Sequence, residues 1–122
     1  MNRWVIVMSL ATSMLAGCKD EAQCERERLD LSKAWSELHA AATHRKLESA
    51  DLSTWTEIEN KAELLESSFV TRQVTWTSAN TASQAIAAKL PTLEGGDVKL
   101  ASFRTSAESA IKQQNSFEKE CR

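Results

Sequence analysis

Helix-breaking residues are scarce in this 122-residue chain: one proline, Pro91, and three glycines, two of them adjacent at Gly95 and Gly96. Turn-dense all-β sandwiches and barrels use many more of both, so that class is excluded. So few glycines leave no phosphate-cradling loop and no Gly-x-Ser-x-Gly elbow. Tyrosine is absent, and only two histidines occur, His39 and His44. Residues five apart on a helix diverge by about 140°. Helical metal pairs use spacings of three or four, so no metal is expected. No uncharged apolar run reaches the roughly 20 residues that a membrane-spanning helix needs. Positive charge is not in surplus either, with 15 basic residues against 17 acidic. That balance argues against nucleic acid as a partner, because a polyanion rewards dense positive charge.

What remains is rich in Ala, Ser, Glu and Lys, and it carries helical periodicity. From about Ala22 to Leu47, the residues Cys24, Arg28, Leu31, Trp35, Leu38 and Ala42 step by four and three along one face. From about Asp97 to Cys121, Leu100, Phe103, Ala107, Ala110, Gln114, Phe117 and Cys121 do the same, with Asp97 placed as an N-cap. Between them, Trp55, Ile58, Ala62, Leu65 and Phe69 form a stripe after Thr54-x-x-Glu57, which has the form of a capping box. Ala79, Ala82, Ile86 and Leu90 form a weaker stripe that Pro91 terminates, its start anywhere from Thr77 to Thr81. Val70, Arg72, Val74 and Trp76 alternate like a strand, but no second strand exists to pair with them. That segment is expected to be an extended link. The expected fold class is all-α: a small antiparallel bundle of four helices, or three should the third stretch be irregular.

The first 17 residues have a different character. Arg3 precedes an uncharged apolar stretch from Trp4 to Ala16, which is the layout of a secretory signal. Leu15-Ala16-Gly17-Cys18 resembles the lipobox of bacterial lipoprotein precursors at all four positions. The resemblance covers only the targeting segment and names no family for the rest. It implies that the signal 1–17 is removed, that the Cys18 thiol carries a diacylglycerol, and that the new amino terminus is acylated. Several acyl chains anchor stably, at roughly 0.8 kcal/mol per buried methylene. Residues 18–23 then form a short acylated tether to a single domain, 24–122. In this class, aspartate directly after the cysteine retains many Gram-negative lipoproteins at the inner membrane. Lys19 stands there in this chain. The implied address is the outer membrane, facing the periplasm, with the inner membrane as the competing address.

With Cys18 lipidated, Cys24 and Cys121 are the remaining thiols of an exported chain. In an oxidising compartment they are expected to pair, against two free thiols or a bridge between chains. Such a bond makes the first and last helices antiparallel. It stacks Arg28 near Phe117, and Trp35 near Ala110 and Ile111. Setting Arg3 aside leaves 14 basic residues against 17 acidic in the mature chain, a net −3.

No catalytic constellation is visible, and no cofactor is expected. Glu57, Glu59, Glu63 and Glu66 are interrupted by Lys61 and face away from Leu65 and Phe69. They read as a solvated face rather than paired carboxylates for acid–base work. Gln114 reads as a polar residue on an apolar seam, at a register-setting or rim position, against a polar contact in a groove. Trp76, on the link, is the candidate partner contact, since tryptophan is enriched in binding hot spots. The function expected is a non-catalytic protein-interaction module of the cell envelope, either a machine subunit or an exclusion or immunity-type protein. The alternative is a small-ligand carrier with a cavity among the helices. The Cys18→Ser variant should accumulate as an unprocessed precursor that takes up no acyl label. Normal labelling of that variant would overturn the lipoprotein reading.

Overall fold

The computed structural model describes residues 20–93 and 97–122. Cys18 and the signal segment therefore lie outside the described residues. Helix α1 is Glu21–Glu48, α2 is Leu52–Thr71, α3 is Trp76–Lys89 and α4 is Val98–Cys121. A 3-10 turn at Leu90–Thr92 follows α3, and among the described residues there is no strand. Each helix packs against the next, and α4 returns to α1. Contacts between helix starts and helix ends make every neighbouring pair antiparallel, as in Glu59 with Lys46, Phe69 with Trp76 and Asn80 with Glu118. The fold is an up-down-up-down four-helix bundle.

Local chemistry explains most helix ends. Asp20 opens α1 by accepting the Gln23 N–H at 2.7 Å, so residues 21–23 belong to the helix rather than to the expected tether. Asp97 opens α4 in the same way through the Leu100 N–H at 2.7 Å. The expected capping box at Thr54 is not used. Asp51 is the N-cap of α2 and accepts the Thr54 N–H at 3.2 Å. A carboxylate there satisfies an orphan donor and meets the positive end of the helix dipole.

The expected extended link is shorter than its alternating pattern, confined to residues 72–75 with Thr75 extended. α2 continues through Val70 to Thr71 and stops where Arg72 adopts φ 64°, the left-handed region. Trp76 is the first residue of α3, with Thr75 as its N-cap, so the helix starts just before the expected window. The alternation of Val70, Val74 and Trp76 spans the end of one helix and the start of the next. Val74 and Trp76 pack against the core while Val70 stays exposed, and this tertiary packing outweighs β propensity.

The interior is one continuous cluster drawn from all four helices, with Leu31, Trp35, Ala62, Leu65, Phe69, Leu100 and Ala107 fully buried. The bond between Cys24 and Cys121 closes one end, with Cα atoms 5.7 Å apart. Above it Phe69, Trp76 and Phe117 form an aromatic layer, with ring centroids 5.9–6.0 Å apart. Arg28, on the buried seam of α1, does not need an apolar partner. Its guanidinium donates to the Phe69 and Val70 carbonyls at the end of α2, and it pairs with Glu25 at 2.6 Å. A cation placed on the last carbonyls of a helix is favoured by the dipole.

Midway along the bundle, Trp35 donates its Nε1–H to Gln114 Oε1 at 3.1 Å. Gln114 Nε2 donates to the Ala79 carbonyl at 3.3 Å and to Ser83 Oγ at 3.2 Å. Gln114 is fully buried, and its amide joins α1, α3 and α4. Replacing it with leucine leaves the Trp35 N–H unpaired in the core, a cost of about 1–3 kcal/mol. The Gln114→Leu variant should therefore unfold at lower urea than wild type. Ser83→Ala should lose less, because Gln114 keeps its bonds to Trp35 and Ala79. An unchanged or raised midpoint for Gln114→Leu would show that an apolar seam serves equally well.

Candidate functional site

The two ends of the bundle differ in chemistry. At the disulfide end, charged groups dominate: Glu25 binds both Arg28 and Arg72, and Glu118 binds Asn80 and Arg122. Arg28 and then Arg72 hold the Glu25 carboxyl below its ordinary value. At the opposite end α1 finishes while α2 and α4 begin, and each leaves a large apolar side chain in water. Leu47 is 79% exposed, Leu52 57% and Val98 81%. Leu29, Leu64 and Val70 are exposed singly elsewhere on the surface, which is ordinary for a soluble face. Three such residues at one end of a small bundle are not scattered.

Beneath this tip the helices are braced. Trp55 is buried and meets Phe103 edge-on, with ring centroids 5.1 Å apart. The Arg45 guanidinium lies 5.8 Å from the Trp55 ring and makes a two-point ion pair with Asp97 at 3.2 and 3.4 Å. Between the α1–α2 turn and the 3-10 turn lies a cleft of about 350 Å³, lined by Ser49, Ala50, Asp51, Trp55, Thr92 and Leu93. Its polar groups are engaged locally. Ser49 Oγ accepts the Asp51 N–H, Asp51 caps α2, and the Thr92 hydroxyl donates to the Lys89 carbonyl. The tip therefore sets three exposed apolar side chains, among exposed His44, Glu48 and Asp97, over a braced base.

The remaining residues singled out from sequence are dispersed. Trp76 sits at the disulfide end, half-buried on Phe69 and Phe117 with Arg122 over its ring at 6.0 Å. The structure does not bring it to the apolar tip. His39 lies 3.2 Å from Glu66, and His44 lies 3.1 Å from Glu48 on α1. Rather than a uniformly solvated face, the acidic run of α2 links helices. Glu57 pairs with Lys89 of α3, and Glu59 with Lys46 and Thr43 of α1. Lys46 and the Thr43 hydroxyl hold the Glu59 carboxyl below its ordinary value. Among the described residues, no three His, Cys, Asp or Glu side chains gather in a metal-holding group. Leu47, Leu52 and Val98 were legible only as large apolar residues that fall off the helical stripes.

The geometry defines a disulfide-closed antiparallel four-helix bundle with three exposed apolar side chains at the end opposite the bond. No protein-family model, curated protein or solved structure matches the chain.

Asp97 gives the tip a measurable acid limb. The Leu100 N–H first, and then Arg45, hold its carboxyl below the ordinary 3.8. A depressed folded value means that its contribution is complete above 3.8 and fades as pH falls through that lower value. Asn at this position can still cap α4 but carries no charge. Urea midpoints of wild type and Asp97→Asn should therefore differ most near neutral pH and converge in acid. A gap that stays constant with pH would show that the Asp97 charge does not contribute.

Proposed function

We propose that this chain is a membrane-anchored, non-catalytic interaction module of the cell envelope, held by acylated Cys18 on the outer membrane and facing the periplasm. Its apolar tip would meet a protein partner there, as a subunit of an envelope machine or as an exclusion or immunity-type factor. The observation that carries the partner reading is the exposure of Leu47, Leu52 and Val98 together at the end opposite the disulfide. The lipobox-like Leu15-Ala16-Gly17-Cys18 supports the anchor. Among the described residues, no helix is long and apolar enough to cross a membrane.

The start of α1 sharpens this geometry. Only Lys19 separates Cys18 from the N-cap Asp20, and two residue steps reach at most about 7 Å. The disulfide end is then nearest the lipid. A helix of 28 residues spans about 42 Å, which sets the tip well away from the anchor. The second reading, a small-ligand carrier, is favoured by a different feature, the cleft between α3 and α4.

Photo-crosslinking groups placed at Ala50 and at Lys119 of the acylated protein, in intact envelopes, test the proposal. Ala50 should capture a protein, and Lys119 should capture lipid. The Ala50 adduct should disappear when Leu47 and Val98 are both replaced by serine. Lipid adducts at Ala50 with protein adducts at Lys119 would reverse the geometry. An Ala50 adduct unaffected by the double substitution would remove the apolar tip from the interface.

A further inference from the structure

A second surface feature is independent of both the tip and the anchor. α3 has 14 residues and α4 has 24, so α3 cannot cover the face of its longer neighbour. Pro91, which has no N–H to continue a helix, turns the chain at Leu90–Thr92. A cleft of about 500 Å³ is left between the end of α3 and the middle of α4. That volume lies within the roughly 300–1,000 Å³ of small-molecule sites. Its floor is apolar: Ala87, Leu90 and Pro91 on one side, Ile111 on the other.

Two cations frame this floor. Arg104 is half-buried, and its guanidinium donates to the carbonyls of Leu90 (from Nε, at 3.2 Å) and Leu93. Those bonds position the group at one end of the cleft. Lys112 lines the other end, eight residues on, or about 12 Å along α4. Neither cation pairs with a carboxylate among the described residues. Glu108, one turn from each, lines the same cleft. The neighbouring surface clefts differ. The one between α1 and α4 mixes Ala34, Leu38 and Ala41 with Ser102, Ser106 and Ser109 and, among the described residues, has no guanidinium on its walls. The distal one has its polar groups engaged locally.

We propose that the α3–α4 cleft binds a single-chain anionic amphiphile, a long-chain carboxylate, with its head group at Arg104 and its tail along Leu90, Ala87 and Ile111. A carboxylate meets a pre-positioned guanidinium there, in a setting less screened than open solvent. The tail covers apolar surface that α3 is too short to cover. Glu108 opposes the head group by like charge, and Lys112 adds longer-range attraction.

Methyl-resolved NMR of the mature, disulfide-bonded protein, titrated with laurate below its micellar concentration, tests this. Saturable shifts should be confined to the methyls of Ala87, Leu90 and Ile111. Acetate, which has the head alone, and dodecyltrimethylammonium, which has the tail with a cationic head, should produce neither. Glu108→Gln should tighten laurate binding, and Lys112→Glu should weaken it, each by roughly two- to fivefold, the scale of an exposed ion pair. Both positions are exposed, so these variants keep the fold. Arg104→Gln should lose most of the affinity, and Ala87→Phe should block the tail. Equal binding of the cationic chain, shifts centred on Leu47, Leu52 and Val98, or no response to Glu108→Gln would each overturn the proposal.

Discussion

Closure of α1 onto α4 is the constraint from which the rest of the bundle follows. Cys24 and Cys121 are 97 residues apart in sequence and bonded in the fold. In the chain-entropy description, closing a loop of that size removes about 4–5 kcal/mol of freedom from the unfolded chain. One bond sets direction but not rotation or register. Those are set further along, where Trp35 reaches Gln114 and where Arg45 reaches Asp97. The first and last helices thus meet at three points, one covalent, one a buried hydrogen bond and one an ion pair. α2 and α3 fill the opposite side, and Gln114 reaches across to α3 so that its amide is satisfied on both its oxygen and its nitrogen.

Each end of the bundle holds two helix starts and two helix ends, and different side chains serve them. At the disulfide end Asp20 caps the start of α1, and Arg28 meets the carbonyls that end α2. Its charge draws in Glu25, which in turn holds Arg72. At the opposite end the aspartates Asp51 and Asp97 cap α2 and α4, and Arg45 answers Asp97 across the interface. The disulfide closes one end, and at the other Leu47, Leu52 and Val98, at the ends of their helices, stay in water.

Much of this was legible in the residues. The stripes through Trp35, Phe69 and Phe117 mark the buried faces, and α1 and α4 lie within about a residue of the expected bounds. The link around Trp76 was misread because alternating Val70, Val74 and Trp76 imitates a strand. A helix end at Val70, a short link through Val74 and a helix start at Trp76 produce the same pattern. The cap of α2 was misplaced by three residues because Thr54 and Asp51 carry equally good capping chemistry. Only the path of the chain chooses between them.

The sequence by itself determined the class: few breakers, 3.6-residue periodicity and two cysteines at the ends of matching helices allow little besides an antiparallel bundle. These are local properties, written in spacing. Tertiary structure alone decided which surfaces remain open. That Arg28 would be spent on the α2 carbonyls, that Gln114 would bond three helices, and that the short α3 would leave a cleft beside Arg104 depend on helix rotation and relative length. Those quantities arise only when four faces must share one core.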